Sequence, residues 1–234
     1  GILATADRLS RVDTASVPAH QYRAWAYLRW SEELMLHRGQ DPTSLLDEAL
    51  ADCRVFLETH PRALPVMPPM LNLLARKVEH FVNHGQDPRE LLKEALTVSA
   101  RIQALAPTYP GFHGIKMIAQ TQKGLWAYSN GQDPTPAFQE SVASFEQGSR
   151  QWPEGITLLN KLCWTLDWWL VHRLRTGEPL GPELERAIEA GRKGVALNGG
   201  IHHLQVNLGM ALGIRGVQKS LQGANPDSDW QEAL

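Results

Sequence analysis

The sequence predicts an all-α protein built from a repeated pair of helices. Three observations support this fold class. The tetrapeptide Gly-Gln-Asp-Pro occurs at residues 39–42, 85–88 and 131–134, a spacing of 46 residues. Between its copies, apolar residues recur at the three- and four-residue spacing of an amphipathic helix, and no segment alternates as a strand does. A fixed period of this length is typical of helical-repeat architectures, in which stacked units bury one another's apolar faces.

The same period extends beyond the three tetrapeptides. Further steps of 46 residues lead to Gly177 and Gly223, and Gly223 is again followed by an Asn-Pro pair. Residues at other equivalent positions of successive units also share a type, and we call each such set a column. Small residues form one column: Ala49, Ala95, Ser141, Ala187 and Ala233. Large apolar residues form another: Leu46, Leu92, Phe138, Leu184 and Trp230.

The tetrapeptide has the composition of a junction between two helices. Glycine is favoured where a helix ends in the left-handed conformation, aspartate is a preferred N-cap, and proline fits the first helical turn. In the second copy, Glu90 follows Asp87 at the spacing of a capping box. The predicted helices are 2–14, 19–38, 42–60, 66–84, 88–106, 112–130, 134–152, 156–176, 182–197 and 203–222, with another opened by Pro226.

We therefore expect one repeat domain of about five helix pairs with long helices. The predicted units are 1–18 (one helix), 19–64, 65–110, 111–156, 157–202 and 203–234 (incomplete). Because the chain begins and ends within predicted units, we expect it to be a fragment of a larger protein. The alternative architecture is an irregular helical bundle, which the fixed period disfavours.

The columns resemble those of the tetratricopeptide (TPR) family over essentially the whole chain. In the unit that begins its second helix after Pro88, the family's pattern is matched by Ala95, Ser99, Ile102 and Pro107, and Leu208-Gly209 matches the Leu-Gly pair of the family's first helix. The resemblance implies a right-handed αα-superhelix that binds a protein or peptide partner in its concave groove. The departure is the period, 46 residues instead of the usual 34.

A second resemblance concerns the sequence of the junction between the two helices of each pair. The Gly-x-Asp-Pro junction looks like that of repeats found beside serine/threonine kinase domains in bacterial multidomain proteins. This resemblance implies the regulatory region of a signalling protein. No kinase motif occurs in the chain itself.

Composition disfavours several functional classes. The chain has 23 Lys and Arg against 25 Asp and Glu, a net charge of −2, which argues against a nucleic-acid binder that neutralises phosphates. Its longest uncharged stretch, 194–214, carries polar side chains, so no membrane span is predicted. Two isolated cysteines, Cys53 and Cys163, suit a cytoplasmic protein without disulfides. We expect a monomer or weak self-association.

Candidate binding residues come from the first helix of each pair, which lines the concave groove in the resembled family. Trp164 and Trp168 share one helical face beside Asp167 and predict an aromatic anchor site for a peptide. The alternative is that these rings form the core between helices. The full candidate set is Tyr22, Arg29, Trp30, Asn72, Arg76, Gln122, Asn160, Trp164, Asp167, Trp168 and Asn207.

The sequence predicts neither a cofactor nor a metal site. His80 and His84 have the spacing of a zinc-binding pair but lack a third ligand, and they suit a helix C-terminus instead. With no catalytic constellation, we expect a non-catalytic interaction or scaffolding module. The alternative function is a sensor that binds a small molecule or a signal peptide in the groove.

Overall fold

The computed structural model describes Arg8, residues 15–109 and residues 111–233. Within these residues the chain forms ten α-helices, one short 3-10 turn (Leu64–Val66) and no strand. The helices are α1 Val17–His37, α2 Thr43–Thr59, α3 Met67–Asn83, α4 Arg89–Leu105, α5 Gly111–Ser129, α6 Thr135–Gln151, α7 Ile156–Thr176, α8 Glu183–Leu197, α9 His202–Leu221 and α10 Asp227–Ala233. The all-α prediction is confirmed.

The helices end close to the glycine and proline residues that are predicted to end them. Nine helices predicted between residues 19 and 222 are present, with ends that differ from the predicted ones by at most two residues. The largest difference is at α1, which begins at Val17 because the Ser16 hydroxyl caps it by accepting the Ala19 N–H at 3.4 Å. The helix predicted over 2–14 lies outside the described residues, apart from Arg8.

The chain divides into two compact units, Gly1–Ile115 and Lys116–Leu234. In each unit, a first helix packs against the second helix of its pair and against the next first helix. In unit 1, α1 packs on α2 and α3; in unit 2, α7 packs on α6, α8 and α9. The core of unit 2 is formed by Leu162, Leu166 and Leu170 of α7 with apolar residues of the helices around it.

The glycine of each junction adopts the left-handed conformation that the sequence predicts. Gly39, Gly85, Gly131, Gly177 and Gly223 have φ between 60° and 74°. In the three Gly-Gln-Asp-Pro copies the aspartate accepts the backbone N–H two residues later, at 2.8 to 3.0 Å. The Asn225 side chain does the same for Asp227 at 2.9 Å. These oxygens therefore satisfy a helical N–H that would otherwise lack a partner.

Three details of the junctions differ from prediction. Pro42, Pro88 and Pro134 are themselves the N-cap residues, so each aspartate lies one residue before the cap and no proline occupies the first helical position in these copies. The capping box at Asp87 is not formed among the described residues, because the Arg89 guanidinium and backbone N–H bind the Asp87 carboxylate instead. The fourth junction has no Asp-Pro pair, and α8 begins later than its counterparts. There a second left-handed glycine, Gly181, turns the chain, and Arg173 bonds the carbonyl of Leu180 at 3.1 Å and the Glu183 carboxylate at 2.8 Å.

Several contacts between helices recur at whole multiples of 46 residues. Arg54 of α2 binds Glu94 of α4 through two hydrogen bonds of 2.7 Å, and Arg192 of α8 binds Glu232 of α10 in the same way. The second pair lies 138 residues after the first. Likewise, Arg101 bonds the carbonyl of Pro61 at 2.7 Å. The counterpart 92 residues later is the bond from Lys193 to the Pro153 carbonyl, 3.0 Å. Neighbouring second helices are therefore joined at equivalent positions.

Candidate functional site

The candidate cations of unit 1 are already bound to carboxylates. Arg29 and Arg76 both pair with Glu32, at 3.0 and 2.9 Å, and Arg76 also pairs with Glu79. Their charges are therefore neutralised within the unit.

The other candidates of unit 1 lie at the surface or bond locally. Tyr22 is 64% exposed, and Trp30 is 38% exposed and lies under the Arg38 guanidinium. The Asn72 amide donates to the carbonyl of Pro68, one turn earlier, at 2.9 Å. Unit 1 thus presents scattered candidate side chains.

Unit 2 brings several candidates together on one side of α7. Lys161, Trp164, Trp168, His172 and Arg175 follow one another at steps of three or four residues, and we call these five residues the α7 face. The two Trp side chains of the face are partly exposed. The opposite side of α7 is buried in the core.

Tyr128 of α5 orders the C-terminal half of the α7 face. Its ring centroid lies 6.4 Å from that of Trp168 and meets the His172 ring edge-on at 5.9 Å. Arg175 lies over the Tyr128 ring and donates to its hydroxyl at 3.1 Å. At the other end, the Lys161 ammonium lies 5.4 Å from the centre of the Trp164 ring. These contacts order the largely half-buried side chains of the α7 face.

Sequence reasoning missed four members of this arrangement: Lys161, Tyr128, His172 and Arg175. The three α7 residues continue the helical spacing of Trp164 and Trp168, so the periodicity contained the signal for them. Tyr128 belongs to the preceding first helix, and only tertiary packing brings it to this place.

The Asn160 and Asn207 side chains join α7 to α9. The Asn207 amide donates to the Asn160 side-chain oxygen at 2.9 Å. Within the described part of the chain, the Asn160 amide N–H and the Asn207 amide oxygen have no protein partner. One donor and one acceptor of this kind match the hydrogen-bonding groups of a peptide backbone.

Two candidate residues lie beneath the surface. Gln122 is 3% exposed, and Asp167 is fully buried. Neither carboxylate oxygen of Asp167 has a hydrogen-bond partner among the described residues, and burial raises the pKa of this carboxyl well above its usual value. Of the adjacent tryptophans, Trp169 lies in the core, while Trp168 is partly exposed and packs against that core.

The histidine pair has local partners. The centroids of the His80 and His84 rings lie 4.1 Å apart with the rings tilted by 32°, and His80 pairs with Asp41 at 3.3 Å. Burial is the main cause that lowers the pKa of His80. Over the described ranges, no group of three or more potential ligands is placed to hold a metal ion.

Neither the cysteines nor the helices suggest other kinds of site. Cys53 and Cys163 are free and buried, and burial raises the pKa of each thiol to about 12. None of the helices in the residues that the structure covers is both long and apolar enough to cross a membrane.

Comparison with known proteins places the fold. No protein-family model and no curated protein matches the chain. The solved structure of a monomeric IFIT1 mutant with Gppp-AAAA is similar over 99% of this chain and 43% of that one, with a TM-score of 0.60 and 12% identity. The fold is a TPR-like helical repeat. The MamA protein is similar over 90% of both chains, with a TM-score of 0.49 and 13% identity.

The similarity to IFIT1 does not by itself indicate a shared function. At 12% identity it concerns the fold alone, and this chain spans less than half the length of the IFIT1 chain. Functional inference therefore depends on the side chains of this protein.

Proposed function

We propose that this chain is a non-catalytic module that binds a protein or peptide partner through the α7 face. The observation that carries the proposal is the pair of partly exposed rings, Trp164 and Trp168, held between Lys161 and Arg175. Large aromatic side chains with a polar surround dominate the free energy of many protein interfaces. TPR-like helical repeats serve as interaction scaffolds, which supports the same function.

The finer features of the proposal come from the sequence. We propose that the chain is one repeat domain with a 46-residue unit and that its first helices form a common groove. In this proposal the chain is a monomer or self-associates weakly, is cytoplasmic, and belongs to a bacterial signalling protein such as a serine/threonine kinase. The recurrence of the Arg54–Glu94 pair as Arg192–Glu232 supports a unit of this length.

Two other classes of ligand could be tested at the α7 face. A small molecule or signal peptide bound at the same face would make the chain a sensor. Gppp-AAAA accompanies IFIT1 in its structure, so a nucleic acid is the other class. We favour a protein partner because the net charge of this chain is −2.

An array of immobilised peptides probed with the whole chain tests the proposal. We expect Trp168→Ala to abolish the capture of peptides. Because the Trp168 ring also packs against the core of unit 2, circular dichroism of the variant must show that it remains folded. Trp30→Ala is the matched variant, since Trp30 occupies the equivalent position of α1 in unit 1. Loss of binding in Trp30→Ala as well would show that peptide capture also depends on unit 1.

Unchanged capture by Trp168→Ala and Trp164→Ala would contradict the proposal. A thermal-shift screen of small molecules separates the sensor alternative, since a bound ligand raises the melting temperature by mass action.

A further inference from the structure

The last helix pair of unit 2 exposes several apolar side chains. Val206, Val217 and Leu221 of α9 and Trp230 of α10 are between 41% and 75% exposed. They make up half of the large apolar side chains that are exposed among the described residues. Single exposed apolar side chains are common on proteins, but a group of them on one helix pair indicates an interaction surface.

Helical periodicity places the exposed residues of α9 on one side of the helix. At about 100° per residue, Val206, Gly213, Val217 and Leu221 lie within about 80° of one another around the helix axis, and we call these four residues the α9 stripe. A Cβ atom added at Gly213 would meet nothing within 4 Å, so the space beside this glycine is open. Met210 lies on the same side, and its half-buried side chain packs against the core of unit 2.

The other sides of α9 are covered within unit 2, where this helix packs on α7, α8 and α10. Leu208 lies against Gly191 of α8, and the Asn207 amide bonds to α7. The Trp230 indole of α10 lies directly against Gly216, where an added Cβ atom would clash with it. The α9 stripe occupies the remaining side of the helix.

The equivalent positions one period earlier are covered by other helices. Val171, 46 residues before Val217, packs against the core of unit 2. Leu184, 46 residues before Trp230, is 3% exposed. These positions of the repeat therefore serve in packing between helices, which favours another helix as the occupant of the α9 stripe.

The spacing of the α9 stripe suits a two-fold arrangement with a second copy of this helix. Val206 lies seven residues before Gly213 and Leu221 lies eight residues after it, each about 10–12 Å from the glycine along the helix axis. In an antiparallel pair of α9 helices that cross at Gly213, Val206 of each copy meets Leu221 of the other. A two-fold dimer requires a self-complementary surface of this kind. The absence of a side chain at Gly213 allows the two helices to approach closely.

Charge does not oppose contact between two copies of α9. The helix contains no carboxylate, and its Lys and Arg residues, Arg215 and Lys219, both bind the buried carboxylate of Asp229 at 2.6 Å. The periodicity places these two cations on the side of α9 opposite to the stripe. Like charges facing each other would disfavour association, and the stripe carries none.

We propose that two copies of this chain associate through the α9 stripe, with their α9 helices antiparallel and crossing at Gly213. Trp230 lies at the border of this contact. The interface is about one helix wide on each copy, so it buries less than the roughly 1,200 Å² of a stable complex, and we expect a dissociation constant on the order of 10–100 µM. This inference does not depend on the function proposed for the α7 face.

Sedimentation equilibrium of the whole chain over a series of concentrations measures the association. We expect Val217→Glu to raise the dissociation constant at least roughly tenfold, because it places a carboxylate in an apolar contact. Val55→Glu is the matched control, since Val55 is an exposed valine of α2 in unit 1, and it should leave the dissociation constant unchanged. Both valines are exposed, so circular dichroism should show the wild-type helix content in each variant.

Cross-linking tests the antiparallel arrangement. When two helix axes are about 8 Å apart, facing Cα atoms lie within the range of about 4.4–6.8 Å that a disulfide spans. Under mild oxidation, Gly213→Cys should form a covalent dimer with itself, and Val206→Cys should form one with Leu221→Cys. The native cysteines, Cys53 and Cys163, are buried, so the wild-type chain is the control and should remain uncross-linked.

Three results would overturn this inference. A chain that stays monomeric throughout the series removes the second copy as the occupant. If this monomer instead binds a synthetic peptide of residues 202–221, and Val217→Glu weakens that binding, the stripe accepts a helix from another source. A dimer that Val217→Glu leaves unchanged uses a different surface. Self-cross-linking of Val206→Cys as efficient as that of Gly213→Cys would indicate parallel helices.

Discussion

The Phe138 ring of α6 fills the space above Gly124 of α5. A Cβ atom added at Gly124 would lie 2.5 Å from Cε1 of this ring, far inside the contact distance. Phe138 is fully buried and has no room to withdraw. Glycine inside this helix, unfavourable by its intrinsic propensity, is therefore required by packing.

We expect Gly124→Ala to lower the free energy of unfolding by about 1–3 kcal/mol, because the methyl group overpacks the contact with Phe138. Gly213→Ala is the matched control. Gly213 also lies inside a helix, but its added Cβ would meet nothing within 4 Å. Here we expect a gain of about 0.5–1 kcal/mol from the higher helix propensity of alanine. Chemical denaturation measures both, and a shift of the same sign in the two variants would contradict this packing.

Replacement of the buried carboxyl should change how stability depends on pH. The pKa of Asp167 is raised in the folded protein, so the folded state retains a proton that the unfolded chain has lost at neutral pH. The stability contributed by the protonated form is fully present below the unfolded pKa and falls as pH rises towards the folded pKa. We expect Asp167→Asn to remove this fall and to be more stable than the wild type at neutral pH.

Denaturation curves recorded from acid to neutral pH test this expectation. The two proteins should converge at pH values below the ordinary carboxyl pKa of about 3.9. A constant difference across the whole range would mean that Asp167 does not titrate as proposed.

The stability contributed by the junction aspartates should change with pH in the direction opposite to that of Asp167. The backbone and side chain of Thr135 hydrogen-bond the Asp133 carboxylate and lower its pKa. The stability from this charged acceptor is present above the unfolded pKa and is lost as pH falls through the folded one. We expect Asp133→Ala to cost about 1 kcal/mol at neutral pH.

Asp133→Asn is the control for the cap, because asparagine keeps the acceptor, as Asn225 does at the fifth junction. This variant should retain most of the stability and lose its acid dependence. An Asn variant as unstable as the Ala variant at neutral pH would indicate that the charge and not the hydrogen bond matters.

Both thiols should be unreactive in the native protein. Burial raises the pKa of Cys53 and Cys163 to about 12, so the reactive thiolate is scarce and inaccessible. A chromogenic thiol reagent at mildly alkaline pH should label neither residue until denaturant is added, after which both should react. Rapid labelling without denaturant would show that a helix around one of them opens readily.

The sequence by itself determined the helices and their ends. A junction of glycine, a capping side chain and proline acts through the backbone of a few neighbouring residues, so Gly131, Asp133 and Pro134 specify a helix boundary wherever the segment lies. Helical periodicity likewise specifies which side of α7 is apolar. These effects are local, and reading them requires no knowledge of what packs nearby.

Only the tertiary structure decided which candidate side chains are exposed and which are paired. Arg76 pairs with Glu32 of another helix, and Asp167 is buried by its neighbours. Tyr128, 47 residues before Arg175 in the chain, accepts a hydrogen bond from the Arg175 guanidinium and lies near the Trp168 ring. Burial and charge compensation depend on residues far apart in the chain, which a local pattern does not bring together.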